Sequence, residues 1–381
     1  MALNLTWRQA RRAFLVGATA SVVALAGCQG GPRGPIGPIA VEPPPVPIGQ
    51  QTNEVAVIVP ITGPDGGVGT SIANAAKLAL LDTGEKSISI AVYDSAMAGG
   101  AAAATQQAIA DGSRLILGPL LADDVRAAAP VARRAGIPVI AFSNDESVAG
   151  DGVYIMGFTP NQSIGRVVAH ARRQGANSFG ALAPNGLYGQ RAAQALLDSV
   201  QKLGGRVAAI ETYDRSQTSL AAAARKLNAK GPVDAVLIGD SSRMAALAAP
   251  VLKVGTHRLG TELWSSDRTI GKTAALRGAW FAAAPDTQFD KLVTRYRARY
   301  GKTPYRLASL GYDAVLLAVR SSRNWPIGGP FPARSLVEKD GFAGVDGNFR
   351  FGRDGIAERQ LEVRQVTATG TTVVSPAATS F

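Results

Sequence analysis

The sequence contains one cysteine and two histidines among its 381 residues. A single cysteine excludes a disulfide within the chain, and two histidines are too few for a histidine-rich metal site. Neither a Cys-x-x-Cys nor a His-Glu-x-x-His spacing occurs. We therefore expect a protein that binds no metal ion and no other cofactor.

Motifs of catalysis and of nucleotide binding are missing or incomplete. No Gly-x-Ser-x-Gly occurs, and the Ser-x-x-Lys of residues 199–202 has no Ser-Asp-Asn or Lys-Thr-Gly motif after it. The glycines of residues 67–69 follow a predicted strand, but Ile72 stands where a dinucleotide-binding fingerprint needs its third glycine. The sequence thus predicts neither an enzyme nor a nucleotide-binding protein.

The charge is unbalanced, with 40 Lys and Arg against 28 Asp and Glu and a formal net charge of +12. The basic residues are dispersed and form no dense run interleaved with aromatics, so we do not expect nucleic acid as a partner. One segment, residues 291–306, alternates basic residues with tyrosines. It is either a solvated face or a contact surface for an acidic partner. The candidate partner residues on it are Arg295, Arg297 and Arg299.

The first 28 residues have the layout of an export signal. Three arginines between residues 8 and 12 precede an uncharged, mostly apolar stretch of roughly 15 residues. A membrane-spanning helix needs about 20 residues, so this stretch predicts a cleaved signal peptide rather than a permanent span. The arginine pair also resembles a twin-arginine signal, and the general secretory route is the alternative.

The end of this segment, residues 25–28 (LAGC), is similar to a lipobox. In that family of signals the cysteine receives the lipid and becomes the first residue of the mature protein. The resemblance implies lipid attachment at Cys28 and a membrane anchor on the periplasmic side of the envelope. Gln29, in place of an aspartate, favours the outer membrane. An ordinary signal peptide with an incidental cysteine is the alternative.

Residues 29–53 are rich in proline and glycine and predict an extended tether. From residue 54 onward, short apolar strands alternate with amphipathic helices, and the alternation restarts near residue 165. This pattern predicts an α/β fold with two doubly wound, mostly parallel sheets. We also predict a closing hairpin made of residues 348–351 and 360–367.

The order of several short phrases resembles the type I periplasmic-binding fold, as found in the leucine-binding protein family. That fold implies two lobes joined by three crossovers, with a cleft between them. We assign residues 54–160 and 285–332 to the first lobe and residues 161–284 and 333–372 to the second. The phrases are residues 59–63 (VPITG), 117–119 (LGP), 136–140 (GIPVI), 187–189 (LYG), 312–314 (YDA) and the glycine and phenylalanine pattern of 344–355.

Ligands of open α/β sheets bind beyond the carboxyl ends of the strands, so the loops there should line the cleft. The resemblance implies a serine at the position of Ala122, which binds the ligand carboxylate, and a threonine at that of Asp145, which holds the ammonium and carboxylate groups of the ligand. Their replacement predicts a pocket that repels a carboxylate, while Asp145 and Asp267 would suit a cationic or hydroxyl-rich solute. The candidate cleft residues are Thr62, Leu121, Ala122, Ser143, Asn144, Asp145, Tyr188, Asp240 and Asp267.

Two functions remain open. Residues 118–121 (GPLL), 137–141 (IPVIA) and 154–160 (YIMGFTP) are more similar to penicillin-binding-protein activators, which are lipoproteins that stimulate a peptidoglycan synthase. That resemblance implies a non-catalytic regulator that docks onto a synthase, and we favour it from the sequence. The alternative is a solute receptor that delivers an amino acid or similar polar ligand to an ABC permease.

Overall fold

The computed structural model describes residues 52–381. The predicted signal peptide, the lipid-attachment residue Cys28 and the predicted tether up to residue 51 lie outside the described residues. No helix within residues 52–381 is long and apolar enough to cross a membrane.

The first lobe is built on a five-stranded parallel sheet with the order β2-β1-β3-β4-β5. Its central strands are apolar on both sides, because helices cover both faces of the sheet. The strands are β1 (Asn53–Val59), β2 (Ile88–Asp94), β3 (Leu115–Leu117), β4 (Val139–Ala141) and β5 (Val153–Ile155). The first three helices are α1 (Gly66–Thr83), α2 (Gly100–Ala110) and α3 (Ala122–Arg134).

The second lobe starts at helix α4 (Pro160–Arg173) and repeats the alternation. Its parallel strands run in the order β10-β9-β8-β6-β7. The strands are β6 (Ser178–Pro184), β7 (Arg206–Tyr213), β8 (Ala235–Ile238), β9 (His257–Gly260) and β10 (Trp280–Ala283). The helices between them are α5 (Leu187–Lys202), α6 (Gln217–Ala229) and α7 (Ser242–Ala248), and a 3-10 helix, Glu262–Ser266, follows β9.

The chain then returns to the first lobe. Helices α8 (Thr287–Tyr300) and α9 (Ala308–Ser322) pack with α1 on one face of the first sheet. A small antiparallel sheet follows, formed by β11 (Phe342–Gly344), β12 (Gly347–Phe351) and β13 (Ala357–Arg359). The last strands, β14 (Glu362–Val366) and β15 (Thr371–Ser375), join the second sheet antiparallel to β10.

Two predictions about the end of the chain need correction. The predicted hairpin of residues 348–351 with 360–367 does not form, because β12 pairs with β11 and β13 whereas β14 pairs with β10. Residues 333–359 belong to the first lobe, since Leu336, Phe342 and Phe349 are part of its core. The last passage between the lobes therefore lies at residues 359–362, not between residues 332 and 333 as the predicted lobe boundary has it. Phe342 and Phe349 pack into the core of the first lobe beside α9, and this packing, rather than strand pairing with β14, places residues 333–359 in that lobe.

Candidate ligand-binding cleft

A cavity of about 440 Å³ lies between the two lobes. The first lobe contributes the loops that follow β1, β3 and β4, at the carboxyl ends of three neighbouring strands. The second lobe contributes the 3-10 helix after β9. The cavity therefore occupies the place where open parallel sheets bind ligands.

Most of the cavity wall is apolar. Phe142 is almost completely buried and Phe158 is half-buried where the chain passes from one lobe to the other. Leucines from both lobes complete this wall: Leu120, Leu121, Leu263 and Leu307. Such a surface suits the aliphatic or aromatic body of a small ligand, leaving a few polar groups to orient it.

Glu262 is the carboxylate of the second lobe that lines this cavity. It accepts hydrogen bonds from the hydroxyls of Ser163 and Tyr188, the latter at 2.8 Å. Among the described residues no arginine, lysine or histidine lies within ion-pairing distance of it. Burial raises the pKa of Glu262, and the two hydroxyl donors oppose that rise. The group is therefore a desolvated carboxylate that lacks a cationic partner.

The segment that carries Glu262 is held rigidly. Thr261 caps the 3-10 helix, its Oγ1 accepting a hydrogen bond from the backbone N–H of Leu263. Trp264 is fully buried, and its Nε1 donates to the backbone oxygen of Asp240 at 2.9 Å. A Cβ at Gly260 would lie 2.3 Å from the Trp264 ring, so only glycine fits there. These contacts fix the direction of the Glu262 side chain before any ligand arrives.

Arg306 is the cation on the wall of the cavity, but it is engaged within the protein. Its guanidinium donates to Asp346 at 2.5 Å and lies 4.1 Å from the ring centre of Phe289. Behind it, burial and the nearby Asp346 raise the pKa of Asp313. Arg306 therefore offers little positive charge to a ligand carboxylate. Asp65, at the exposed rim, adds a further negative charge.

The structure brings only some of the predicted cleft residues to this cavity. Leu121 and Asn144 line it. Thr62 lies elsewhere, where its hydroxyl donates to Asp94 at 2.7 Å. Ala122 is the first residue of α3, and Ser143 is buried with its hydroxyl accepting from the backbone N–H of Asp145.

The sequence predicted that Asp145 faces the ligand as an unpaired charge, and the structure shows that this is wrong. Its side chain is fully buried and forms ion pairs with Arg126 of α3 at 2.7 Å and with Arg191 of α5 at 2.6 Å. Burial would raise its pKa, but hydrogen bonds from Ser147 and Arg191 hold the pKa at about 2. Because Arg191 belongs to the second lobe, Asp145 joins the two lobes instead of repelling a ligand.

The three predicted residues of the second lobe have different surroundings. Tyr188 lies behind Glu262, with its hydroxyl 3.0 Å from Thr261 Oγ1. Asp240 is buried and accepts from the Tyr213 hydroxyl and from Arg215, each at 2.9 Å. Asp267 lines an adjoining cavity, which is described below. Tyr188 therefore positions Glu262, and Asp240 is occupied by its own lobe.

Sequence reasoning missed Glu262 itself. The apolar pattern of residues 259–264 predicts a strand, which would place this residue inside a sheet, whereas β9 ends at Gly260. The signal that could have found it is Gly260 followed by Thr261, because a threonine directly after a glycine favours a strand end and a helix cap. Phe142 and Phe158 were also missed, since apolar residues at strand ends carry no distinctive motif.

The predicted partner residues on α8 are unequally available. Arg295 forms an ion pair with Asp82 at 3.1 Å and donates to the Tyr312 hydroxyl at 2.9 Å. Arg297 donates to Thr303 Oγ1, and Arg299 is exposed. Of the three, Arg295 is therefore exposed but paired with an acidic side chain, whereas Arg297 and Arg299 have no ion pair among the described residues. Across the described chain, no three His, Cys, Asp or Glu side chains are placed to hold a metal ion.

Solved structures of similar fold are periplasmic ligand-binding proteins. A branched-chain amino acid ABC transporter ligand-binding protein from Burkholderia xenovorans superposes with a TM-score of 0.71 at 13% identity, covering 86% of this chain and 96% of that one. A solute-binding protein from Rhodopseudomonas palustris, in complex with 3,4-dihydroxybenzoic acid, gives 0.67 at 20% identity, with coverage of 87% and 98%. LivJ from Streptococcus pneumoniae, in complex with isoleucine, gives 0.64 at 19%, with coverage of 85% and 100%.

These likenesses show the class of the fold, a two-lobed type I periplasmic binding protein. The family model for periplasmic binding proteins matches residues 52–371, and the chain belongs to this family. A protein without an assigned role from Rickettsia prowazekii is 22% identical over 333 residues, which span 82% of this chain and 86% of that protein. The predicted fold class is thus confirmed, and family membership implies a location in the periplasm.

Proposed function

We propose that the protein is a non-catalytic receptor for a small solute, which it delivers to an ABC permease. The observation that carries this proposal is the unpaired Glu262 carboxylate in a largely apolar cavity between two lobes. A carboxylate in such surroundings binds a ligand cation more strongly than it would in water, because the dielectric constant is lower there, and no cation among residues 52–381 competes for it.

The same geometry narrows the class of solute. Leucine and phenylalanine side chains favour an aliphatic or aromatic body, whereas Glu262 and Asp65 favour an amino group. Arg306, the cationic residue that lines the cavity, is paired with Asp346 and offers little charge to a ligand carboxylate. We therefore propose an apolar amine as the ligand, in contrast to the amino acid and the benzoate derivative bound by the related proteins.

Attachment to a membrane remains a further part of the proposal. The lipobox-like residues 25–28 would anchor the protein through Cys28 on the periplasmic side. Delivery to a permease requires this anchor in the membrane that holds the permease, whereas the outer-membrane position that Gln29 favours would suit the second candidate function below. A polyproline-like tether of about 25 residues, at ~3.1 Å each, would reach at most about 80 Å. The receptor would thus stay near the membrane surface.

A thermal-shift screen of the purified protein tests the proposal. Matched pairs of apolar amines and apolar carboxylates of the same size are added at millimolar concentration. At 100 times its Kd a ligand stabilises the folded state by about 2.7 kcal/mol, which raises Tm by several degrees. We expect at least one amine to do so and its carboxylate counterpart to have no effect. Stabilisation by carboxylates alone, or by no solute, would contradict the proposal.

A second candidate function is docking onto a peptidoglycan synthase. The exposed Arg297 and Arg299 on α8 favour it, because basic side chains beside tyrosines suit an acidic contact surface. The double variant Arg297→Glu/Arg299→Glu should then lose capture of a purified synthase and retain the thermal shift with amines. Arg225→Glu/Lys226→Glu on α6 is the matched control. Equal capture by all three proteins would exclude this surface.

A further inference from the structure

A second cavity, of about 490 Å³, adjoins the first. The two share the wall formed by Ser265, Ser266, Tyr305 and Arg306. Tyr305 is 54% exposed and stands between the lobes, so it borders both spaces without closing either. A ligand longer than the first cavity can therefore continue past Tyr305 into the second.

The second cavity is polar, and most of its charges are already paired. Arg364 forms ion pairs with Asp286 and Glu362. Arg268 lies 3.8 Å from Asp290, and both side chains are mainly exposed. These pairs leave the second cavity close to neutral, apart from one carboxylate.

That carboxylate is Asp267. It accepts hydrogen bonds from the Ser242 hydroxyl at 2.6 Å and from the backbone and hydroxyl of Thr269 at 2.8 Å. No cationic side chain of residues 52–381 is within ion-pairing distance of it. Burial would raise its pKa, but these donors hold the pKa below the usual range. Asp267 is therefore ionised and lacks a counter-charge.

Glu262 and Asp267 stand at the two ends of one 3-10 helix, Glu262–Ser266. A 3-10 helix rises about 2.0 Å per residue, which places the two backbone positions about 10 Å apart along its axis. The buried Trp264 fixes the segment between them. This segment thus presents one carboxylate without a counter-charge to each cavity, at a backbone separation that the fold sets.

We infer that the solute carries two amino groups joined by an apolar chain, one group contacting Glu262 and the other Asp267. This inference rests on the proposed function and extends it to the second cavity. The apolar chain lies against the leucine and phenylalanine side chains of the first cavity and passes Tyr305. A solute with one amino group fills the first cavity only and leaves Asp267 in contact with water.

Titration calorimetry with a series of simple amines tests this inference. The probes are diaminobutane, diaminohexane, diaminooctane and, as the single-headed reference, hexylamine. We expect at least one diamine to bind about tenfold more tightly than hexylamine, because a second charge-assisted hydrogen bond forms in a partly desolvated site. Asp267→Asn should remove this advantage and leave hexylamine binding unchanged, and the exposed Asp123→Asn should change neither. Asparagine retains an acceptor for Thr269, so the fold is preserved.

The outcomes separate the inference from the proposed function. If hexylamine and the diamines bind equally, and Asp267→Asn binds all of them like the wild type, the two-headed ligand is excluded while the amine receptor stands. If neither class of amine binds, both are excluded. If the diamine advantage survives Asp267→Asn, the second amino group contacts another residue and the inference is overturned.

Discussion

The double variant Arg126→Met/Arg191→Met should lose about 3–5 kcal/mol of unfolding free energy at pH 7. It leaves the fully buried Asp145 carboxylate without either of its cationic partners. An unpaired buried charge costs several kcal/mol, whereas methionine retains most of the apolar stem of arginine. Urea unfolding followed by circular dichroism measures the loss.

The pH dependence of this loss identifies its cause. In the wild type the pKa of Asp145 is held at about 2, below its value of ~3.9 in the unfolded chain. Its contribution to the stability of the folded state is therefore present above pH 4 and disappears as the pH falls toward 2. In the double variant the desolvated carboxyl should take up a proton more readily. The difference in stability between the two proteins should therefore shrink as the solution is acidified from pH 7 to pH 4.

The exposed pair Arg350 and Glu358, 2.7 Å apart, supplies the control. Arg350→Met should cost less than about 1 kcal/mol, because solvent replaces the lost partner. If the double variant Arg126→Met/Arg191→Met lost no more unfolding free energy than Arg350→Met, the account of Asp145 would be contradicted. Arg191 lies on the second lobe and Asp145 on the first. The single variant Arg191→Met therefore tests whether the ion pair between these two residues helps to hold the lobes together.

Glu262→Gln should weaken the binding of an apolar amine by about 100-fold or more. The substitution keeps the shape of the side chain and one oxygen that accepts from a neighbouring hydroxyl, while its amide nitrogen can donate to the other hydroxyl, and it removes the negative charge. Loss of one partner from a desolvated, hydrogen-bonded charge pair costs about 2–5 kcal/mol. Glu358→Gln is the matched control on the surface and should bind like the wild type. Titration with the amine selected by the thermal-shift screen measures both.

Affinity should also depend on pH in a defined direction. Burial raises the pKa of Glu262 above its usual range, so binding is strongest above that pKa and falls as pH decreases through it. The loss should therefore begin at a higher pH than the ordinary glutamate value of ~4.3. Glu262→Gln should show no such dependence. An affinity that is independent of pH in both proteins would exclude Glu262 as the contact for the amine.

The alternation of strands and helices is the part of the fold that the sequence predicts well. The sequence predicts strands over residues 206–213 and 235–238, for example, and these are the bounds of β7 and β8 in the structure. A short apolar run that is bounded by glycine, proline or aspartate and followed by a helix can be assigned as a strand with little ambiguity. The strands β5 and β10 were not predicted, because a run of three or four residues has no readable period and neither strand, unlike β8, has an α-helix directly before and after it.

The site was less predictable than the fold, because its charges depend on contacts between distant chain segments. Asp145 forms an ion pair with Arg191, which lies 46 positions later in the chain, and no local sequence motif predicts that pair. The availability of Glu262 depends equally on the absence of a nearby cation, which only the packed structure of residues 52–381 reveals. The same reasoning explains why Arg295 was predicted as a partner residue although Asp82 engages it.

A crystal structure of the complex with the most stabilising solute of the screen tests the central claim most directly. The account predicts that the solute lies between Phe142, Phe158 and Leu263, with its amino group within hydrogen-bonding distance of Glu262. A solute bound elsewhere on the protein, or bound in this cavity through a carboxylate on Arg306, would contradict it.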